Sequence, residues 1–207
     1  MKNDDIGKTR MSGPDRRSQI VKVAMRLFAK KGFKGTTTRE IAEKASISEA
    51  VIFRHFARKQ DLYTAIIDAR CNDKQGESIL YGKLKGVEGR EVFSTVASYL
   101  ISEHQKDSAF LRLLTYSALE GHDLSEIFIK TKGLEFIEFL EAQIKALIKQ
   151  GVFRKTDASL AARALVGMVL HYSFSQEVYG LKRYYKRPNA KAVDAFVDIF
   201  FEGMRRR

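Results

Sequence analysis

The chain has 207 residues, 44% of them hydrophobic, which is enough to bury a sizeable core in one or two domains. Its 37 Lys and Arg against 25 Asp and Glu leave a net charge of +12, and 16 of the basic residues against 8 acidic ones fall within the first 70 positions. No run approaches the roughly 18 apolar residues of a membrane span, the N-terminus lacks a secretory apolar stretch, and Cys71 is the only cysteine, so a disulfide framework is excluded and a cytoplasmic setting is expected.

Residues 1–14, MKNDDIGKTRMSGP, show no periodicity and are expected to form a flexible basic arm. A first helix is predicted from Asp15 to Lys31, with Ile20, Val23, Ala24, Leu27 and Phe28 as its apolar stripe. Lys30 and Lys31 suit its C-terminal dipole, and Gly32 ends it. From Thr36 to Lys59 the segment TTTREIAEKASISEAVIFRHFARK reads as two short helices joined by a tight turn. Ile41, Ala42 and Ala45 share one face of a helix beginning near Thr38, and Ile52 and Phe56 fall four apart on the inner face of the next. Ser48 has a side chain suited to cap that second helix.

With Ile52 and Phe56 inward, Glu49, Ala50, Phe53, Arg54 and His55 point outward. Small residues mixed with polar tips suit a helix lying in the major groove, where a solvated face would carry more Lys and Glu. A generic amphipathic hairpin is the competing reading. The basic excess in the first third of the chain favours a polyanion, although an anionic membrane surface or an acidic protein would be attracted as well.

The segment ARKQDLYTAIIDAR begins a longer helix with Leu62, Ala65, Ile66 and Ala69 facing the core, and three glycines between Gly82 and Gly89 break it from the next. Further helices are predicted over residues 91–105, 107–120, 124–150, 157–178 and 189–206, with Gly151 and Gly180 at two of their ends. Two prolines, Pro14 and Pro188, and the lack of Asn-Gly or Asp-Gly turns leave little room for strands. The expected fold is therefore all-α, with about nine helices. The last two helices, LAARALVGMVLHYSFSQEVYG from Leu160 and AFVDIFFEGM from Ala195, carry more apolar surface than one core absorbs, which is a motive for pairing with a second copy.

Long helices packed side by side leave apolar clefts with a few polar tips. Tyr99, Glu103, Phe110, Leu114, Phe136 and Phe139, with His171 and Phe174, are the candidate lining of such a cleft, and simple core packing is the alternative for each. This set suits a hydrophobic effector, with Glu103 and His171 offering a charge or a hydrogen bond. His104, His122 and His171 lack ligand spacing, and neither a nucleophile triad nor a glycine-rich phosphate loop is present, so no metal, no cofactor and no enzymatic activity are expected.

The run IVKVAMRLFAKKGFKGTTTREIAEKASIS, then AVIFRHF, then Lys59 and Leu62, resembles the DNA-binding domain of the TetR family of bacterial transcription regulators. The resemblance covers the first sixty or so residues closely, and the rest in layout only. It implies a helix-turn-helix domain over 15–60 and an effector-binding and dimerisation domain over 61–207, in a homodimeric repressor that binds a pseudo-palindromic operator in double-stranded DNA until a small apolar ligand releases it. It also implies phosphate contacts at Thr37 and Thr38, base reading by Arg39, base-edge or methyl contacts from Glu49, Ala50 and Val51, contacts from Arg54 and His55, a phosphate at Lys59, and an auxiliary contact at Ser48.

The chain departs from the family pattern in three places. Phe53 stands where a phosphate-bonding tyrosine is usual, Ser46 where the turn commonly has glycine, and Ala50 where glycine is frequent. An effector-independent DNA-organising or division-linked protein could use the same N-terminal fold.

Overall fold

The computed structural model describes residues 11–71, 80 and 82–206. Most of the arm expected over residues 1–14 and the side chain of Cys71 lie outside the described residues. Among the described residues the chain is helical throughout, and its one β-type pairing is an isolated bridge between Phe153 and Arg205.

Helix α1 (Gly13–Lys31) starts two residues earlier than the apolar stripe suggests, because the Ser12 hydroxyl accepts from Asp15 N at 3.2 Å and Pro14 sits in the first turn. Helices α2 (Thr38–Lys44) and α3 (Glu49–His55) follow. Ile41 and Ala42 of α2 and Ile52 of α3, with Phe56 just beyond, are buried against Ile20, Ala24 and Phe28 of α1. Helix α4 (Lys59–Cys71) closes this unit with Leu62, Tyr63 and Ile66.

Helices α5 (Arg90–Lys106), α8 (Leu134–Lys149), α9 (Ala158–Glu177) and α10 (Asn189–Met204) build a second core around Phe93, Ile101, Ile144, Phe153, Leu165 and Val197. Between the two cores run α6 (Ser108–Glu120) and the short α7 (Leu124–Phe128), whose Phe110, Leu113 and Leu124 join the N-terminal core.

The continuous helix predicted over 124–150 is interrupted at Ile129–Gly133 by a wide turn in which Leu134 N donates to Ile129 O, five residues back. Such a turn absorbs one extra residue. At about 100° per residue, it brings Leu140 from roughly 160° to roughly 60° away from the direction of Leu124, so both apolar faces of the segment turn inward.

Between α2 and α3, Ser46 adopts φ 54°, the one positive φ outside glycine among the described residues. The left-handed region costs an L-residue about 1–2 kcal/mol, part of which glycine would return through its freer unfolded chain. Ser46→Gly should therefore raise stability by about 0.5–1 kcal/mol in thermal melts, and a loss of stability would show that the exposed hydroxyl contributes something the backbone strain conceals.

Candidate DNA-reading face and effector cavity

The α2–α3 turn is pinned from behind. Gln19 Nε2 donates to Ala45 O at 3.2 Å, and the Arg17 guanidinium lies 4.9 Å from the centre of the Phe56 ring. With Ile52 and Phe56 buried, Ala50, Phe53 and Arg54 are exposed, and Glu49, Val51 and His55 are half-buried at the edges of the same face. This is the outward set that the spacing predicts. Arg39 stands 80% exposed and is tied only loosely to Glu43, at 3.1 Å one turn along α2.

Three polar groups of this face differ from their sequence-based roles. Thr37 caps α2 in a reciprocal box, its hydroxyl accepting from Glu40 N at 3.1 Å while the Glu40 carboxylate accepts from Thr37 N at 3.1 Å. The Thr-x-x-Glu spacing is a local signal that could have revealed this box. The Lys31 ammonium also bonds Glu40, and that bond is the main reason the Glu40 carboxyl lies below its usual range. The Thr38 hydroxyl donates to the Glu49 carboxylate, joining the starts of α2 and α3. Ser48 occupies the cap position of α3 with extended backbone, but its hydroxyl makes no capping bond and the first turn is closed by Val51 N donating to Ser48 O at 3.0 Å.

Lys59 points back into the fold. Its ammonium donates to Phe33 O and Thr36 O, each at 2.8 Å, and sits 4.1 Å from the centre of the Phe33 ring. Burial holds this amine below its ordinary range, against the opposing charge of Glu120. Glu120, at the end of α6, accepts from Phe33 N at 2.9 Å, and a Cβ at Gly32, where φ is 74°, would collide with its carboxylate. Phe28, Phe33, Tyr63 and His122 cluster around this junction with centroids 4.6–5.7 Å apart, edge to face except for the tilted Phe28–Phe33 pair. The loop from Gly32 to Thr36, which delivers α2 to the surface, is thus held by α4 on one side and α6 on the other.

A cavity of about 160 Å³ opens between α4, α5, α6 and the α7–α8 segment. Tyr99, Phe110, Phe128, Phe136 and Phe139 supply its aromatic walls. Arg70, Glu103, His104, Asp107, Lys132 and Glu135 supply its polar groups. Arg70 pairs with Asp107, whose carboxylate also accepts from Phe110 N at 3.3 Å as the cap of α6. Lys132 stands 3.6 Å from Glu135. Burial, partly opposed by the nearby Glu103 charge, lowers the pKa of His104 and keeps its imidazole neutral.

Of the sequence-predicted lining, Tyr99, Glu103, Phe110, Phe136 and Phe139 meet at this cavity. Leu114 packs instead against the N-terminal core, Phe174 stacks on Tyr179 at 4.9 Å, and His171 is exposed with its Nε2 3.2 Å from the Ser175 hydroxyl. Leu114 lies one turn beyond Phe110 along α6, and no described residue of α9 lines the cavity. The charged members Arg70, Asp107, Lys132 and Glu135 were not foreseen: Arg70 and Asp107 meet across separate helices and leave no spacing signal, while Lys132 and Glu135 are an i,i+3 pair whose position at the cavity depends on how the segment packs.

Comparison with known proteins agrees with this geometry. A profile of bacterial regulatory proteins of the tetR family matches residues 20–66, and one of the AefR-like transcriptional repressor C-terminal domain matches residues 91–203. The uncharacterized HTH-type transcriptional regulator YvkB of Bacillus subtilis (strain 168) is 45% identical over 71 residues, 32% of this chain, and the match spans only 38% of YvkB. The HTH-type transcriptional repressor KstR2 of Rhodococcus jostii (strain RHA1) is 26% identical over 157 residues, 72% of this chain and 74% of that repressor. The crystal structure of AibR in complex with isovaleryl coenzyme A and operator DNA shares the fold, with a TM-score of 0.68 at 20% identity over 90% of this chain and 98% of that one. Two family profiles in tandem, one over the helix-turn-helix and one over more than half the chain, show that this protein belongs to the TetR family of bacterial transcriptional regulators.

Proposed function

We propose that the protein is a ligand-responsive, homodimeric transcriptional repressor that reads a pseudo-palindromic operator with α3. The single observation that carries this reading is the α3 face itself, with Ile52 and Phe56 buried, Ala50, Phe53 and Arg54 outward, and the turn before it braced by Gln19. Arg54 is exposed on that face and Arg39 on α2 before it, and Arg39 is the base reader. Thr38 and Glu49 would exchange their mutual bond for contacts to DNA.

The AefR-like repressor profile and the DNA-bound form of AibR support the repressor assignment. The aromatic cavity favours an effector-controlled protein over an effector-independent DNA organiser, which has no use for one. We place the DNA-binding domain at residues 15–60 and the effector-binding and dimerisation domain at 61–207.

Helix α6 connects the two activities. Its first turn lines the cavity through Asp107 and Phe110, and its last residue, Glu120, grips the loop that delivers α2. An effector favouring one placement of α6 shifts the population of DNA-competent molecules in proportion to its differential affinity for the two states. Dimerisation is supported by the exposed stripe Leu160, Ala164, Gly167 and Leu170 on α9 beside Ala195 and Ile199 on α10. Two reading helices then face successive major grooves.

The test combines sedimentation, footprinting and two variants. A dimer at micromolar concentration protecting a two-fold symmetric site supports the assignment, and a monomer or an absence of protection at low salt refutes it. Arg39→Ala should cost about 1–3 kcal/mol on the operator, little on random DNA and nothing in thermal stability. Lys59→Ala should weaken all sequences alike and also lower the melting temperature, since it releases two carbonyls from a charged donor at about 1.5–3 kcal/mol each.

A further inference from the structure

We propose that the effector is a lipophilic monocation, an aromatic or short aliphatic body carrying one amine or quaternary ammonium group, with Glu103 as its counter-ion. This deepens the effector-controlled reading and rests on it.

Among the described residues, the charged groups facing the cavity are Asp107 and Arg70, Glu135 and Lys132, and Glu103. The first four pair with one another across the wall. Glu103 differs, because its partner is Lys106, at 2.7 Å, which lies outside the lining and is 67% exposed. An exposed pair of that kind is weak and readily exchanged, so Lys106 can return to water when a ligand cation takes its place. His104 beside it carries no compensating charge, since burial lowers its pKa. Among the described residues the lining thus holds one carboxylate more than it holds cations.

The walls point the same way. Tyr99, Phe136 and Phe139 line the same cavity as Glu103, and the negative face of an aromatic ring attracts an ammonium group. An anionic ligand would meet three carboxylates and would have to draw either Lys132 from Glu135 or Arg70 from Asp107 and from its stacked position 5.0 Å from the centre of the Phe110 ring. The space, about 160 Å³, is close to that of an engineered apolar cavity of about 150 Å³ that holds benzene. One ring or a short chain with a small head group fits it.

Calorimetric titration of the full-length protein, without DNA, with phenylpropyltrimethylammonium, phenylpropanol and phenylbutyrate tests the proposal. The cation should bind at least about tenfold tighter than the alcohol, and phenylbutyrate most weakly. Glu103→Gln should remove the preference for the cation while leaving the alcohol unchanged, Glu103→Asp should retain it, and Phe136→Ala should weaken both. Binding of the alcohol or the anion as tight as that of the cation overturns the proposal, as does no binding of the cation or a preference that survives Glu103→Gln in a protein with an unaltered melting curve. Footprinting reads the DNA-binding assignment independently, so operator protection with a failed titration sinks the ligand class alone.

Discussion

Replacing Phe28 with alanine should melt the DNA-binding part of the molecule while the helices of the second core remain folded. Phe28 is fully buried, and its ring packs 4.7 Å from Tyr63 and 5.5 Å from Phe33, so the truncation removes the centre of the N-terminal core. Truncations of this kind cost about 3–5 kcal/mol, a large part of the 5–15 kcal/mol that holds a typical domain. The core made by Phe93, Ile144, Leu165 and Val197 shares no buried residue with that of Phe28, Ile41, Ile52 and Leu62. Native-state hydrogen exchange should therefore show amides of α1 to α4 losing protection while those of α9 and α10 keep it, and operator binding should fall by more than about 100-fold. A single cooperative loss in both regions would show that α6 binds the two cores into one unit.

Ala50→Glu should abolish operator recognition without harming the fold. Ala50 is exposed as the second residue of α3, where a carboxylate suits the helix dipole by about 0.3–1 kcal/mol, so the melting temperature should hold or rise. Against the phosphate-lined groove the same charge costs several kcal/mol, and about 3 kcal/mol already corresponds to roughly 100-fold in affinity. Fluorescence anisotropy on operator and on random duplexes reads the loss. The same change at Ala190, exposed in the first turn of α10, should leave both affinities unchanged. Equal behaviour of the two variants would remove α3 from the groove.

The reading helix was legible because its two anchors are local. Ile52 and Phe56 lie one turn apart, and burying them fixes the outward direction of Ala50, Phe53 and Arg54 whatever the rest of the chain does. At Ser46, where the family pattern commonly has glycine, the sequence left open how serine would meet the turn, and φ 54° shows that it takes the left-handed region. The cavity was less legible. Phe136 and Phe139 point into it only because the wide turn at Ile129–Gly133 resets the helix by one residue, and apolar periodicity reads the same on both sides of such a turn. Phe174 and Leu114 are as apolar and as suitably spaced, yet Phe174 stacks on Tyr179 on a helix that does not line the cavity and Leu114 falls one turn past it against the N-terminal core.

By itself the sequence determined the helical class, the inner and outer faces of α2 and α3, and the concentration of positive charge near the N-terminus, because these follow from side chains within one or two turns of each other. Only the tertiary structure decided that Lys59 holds the carbonyls of Phe33 and Thr36, that Glu120 reaches Phe33 N across 87 residues, and that Arg70 meets Asp107 at the cavity wall. Such contacts depend on the angles at which helices pack. Those angles are set by the sum of many apolar contacts, and no local pattern in the chain encodes them.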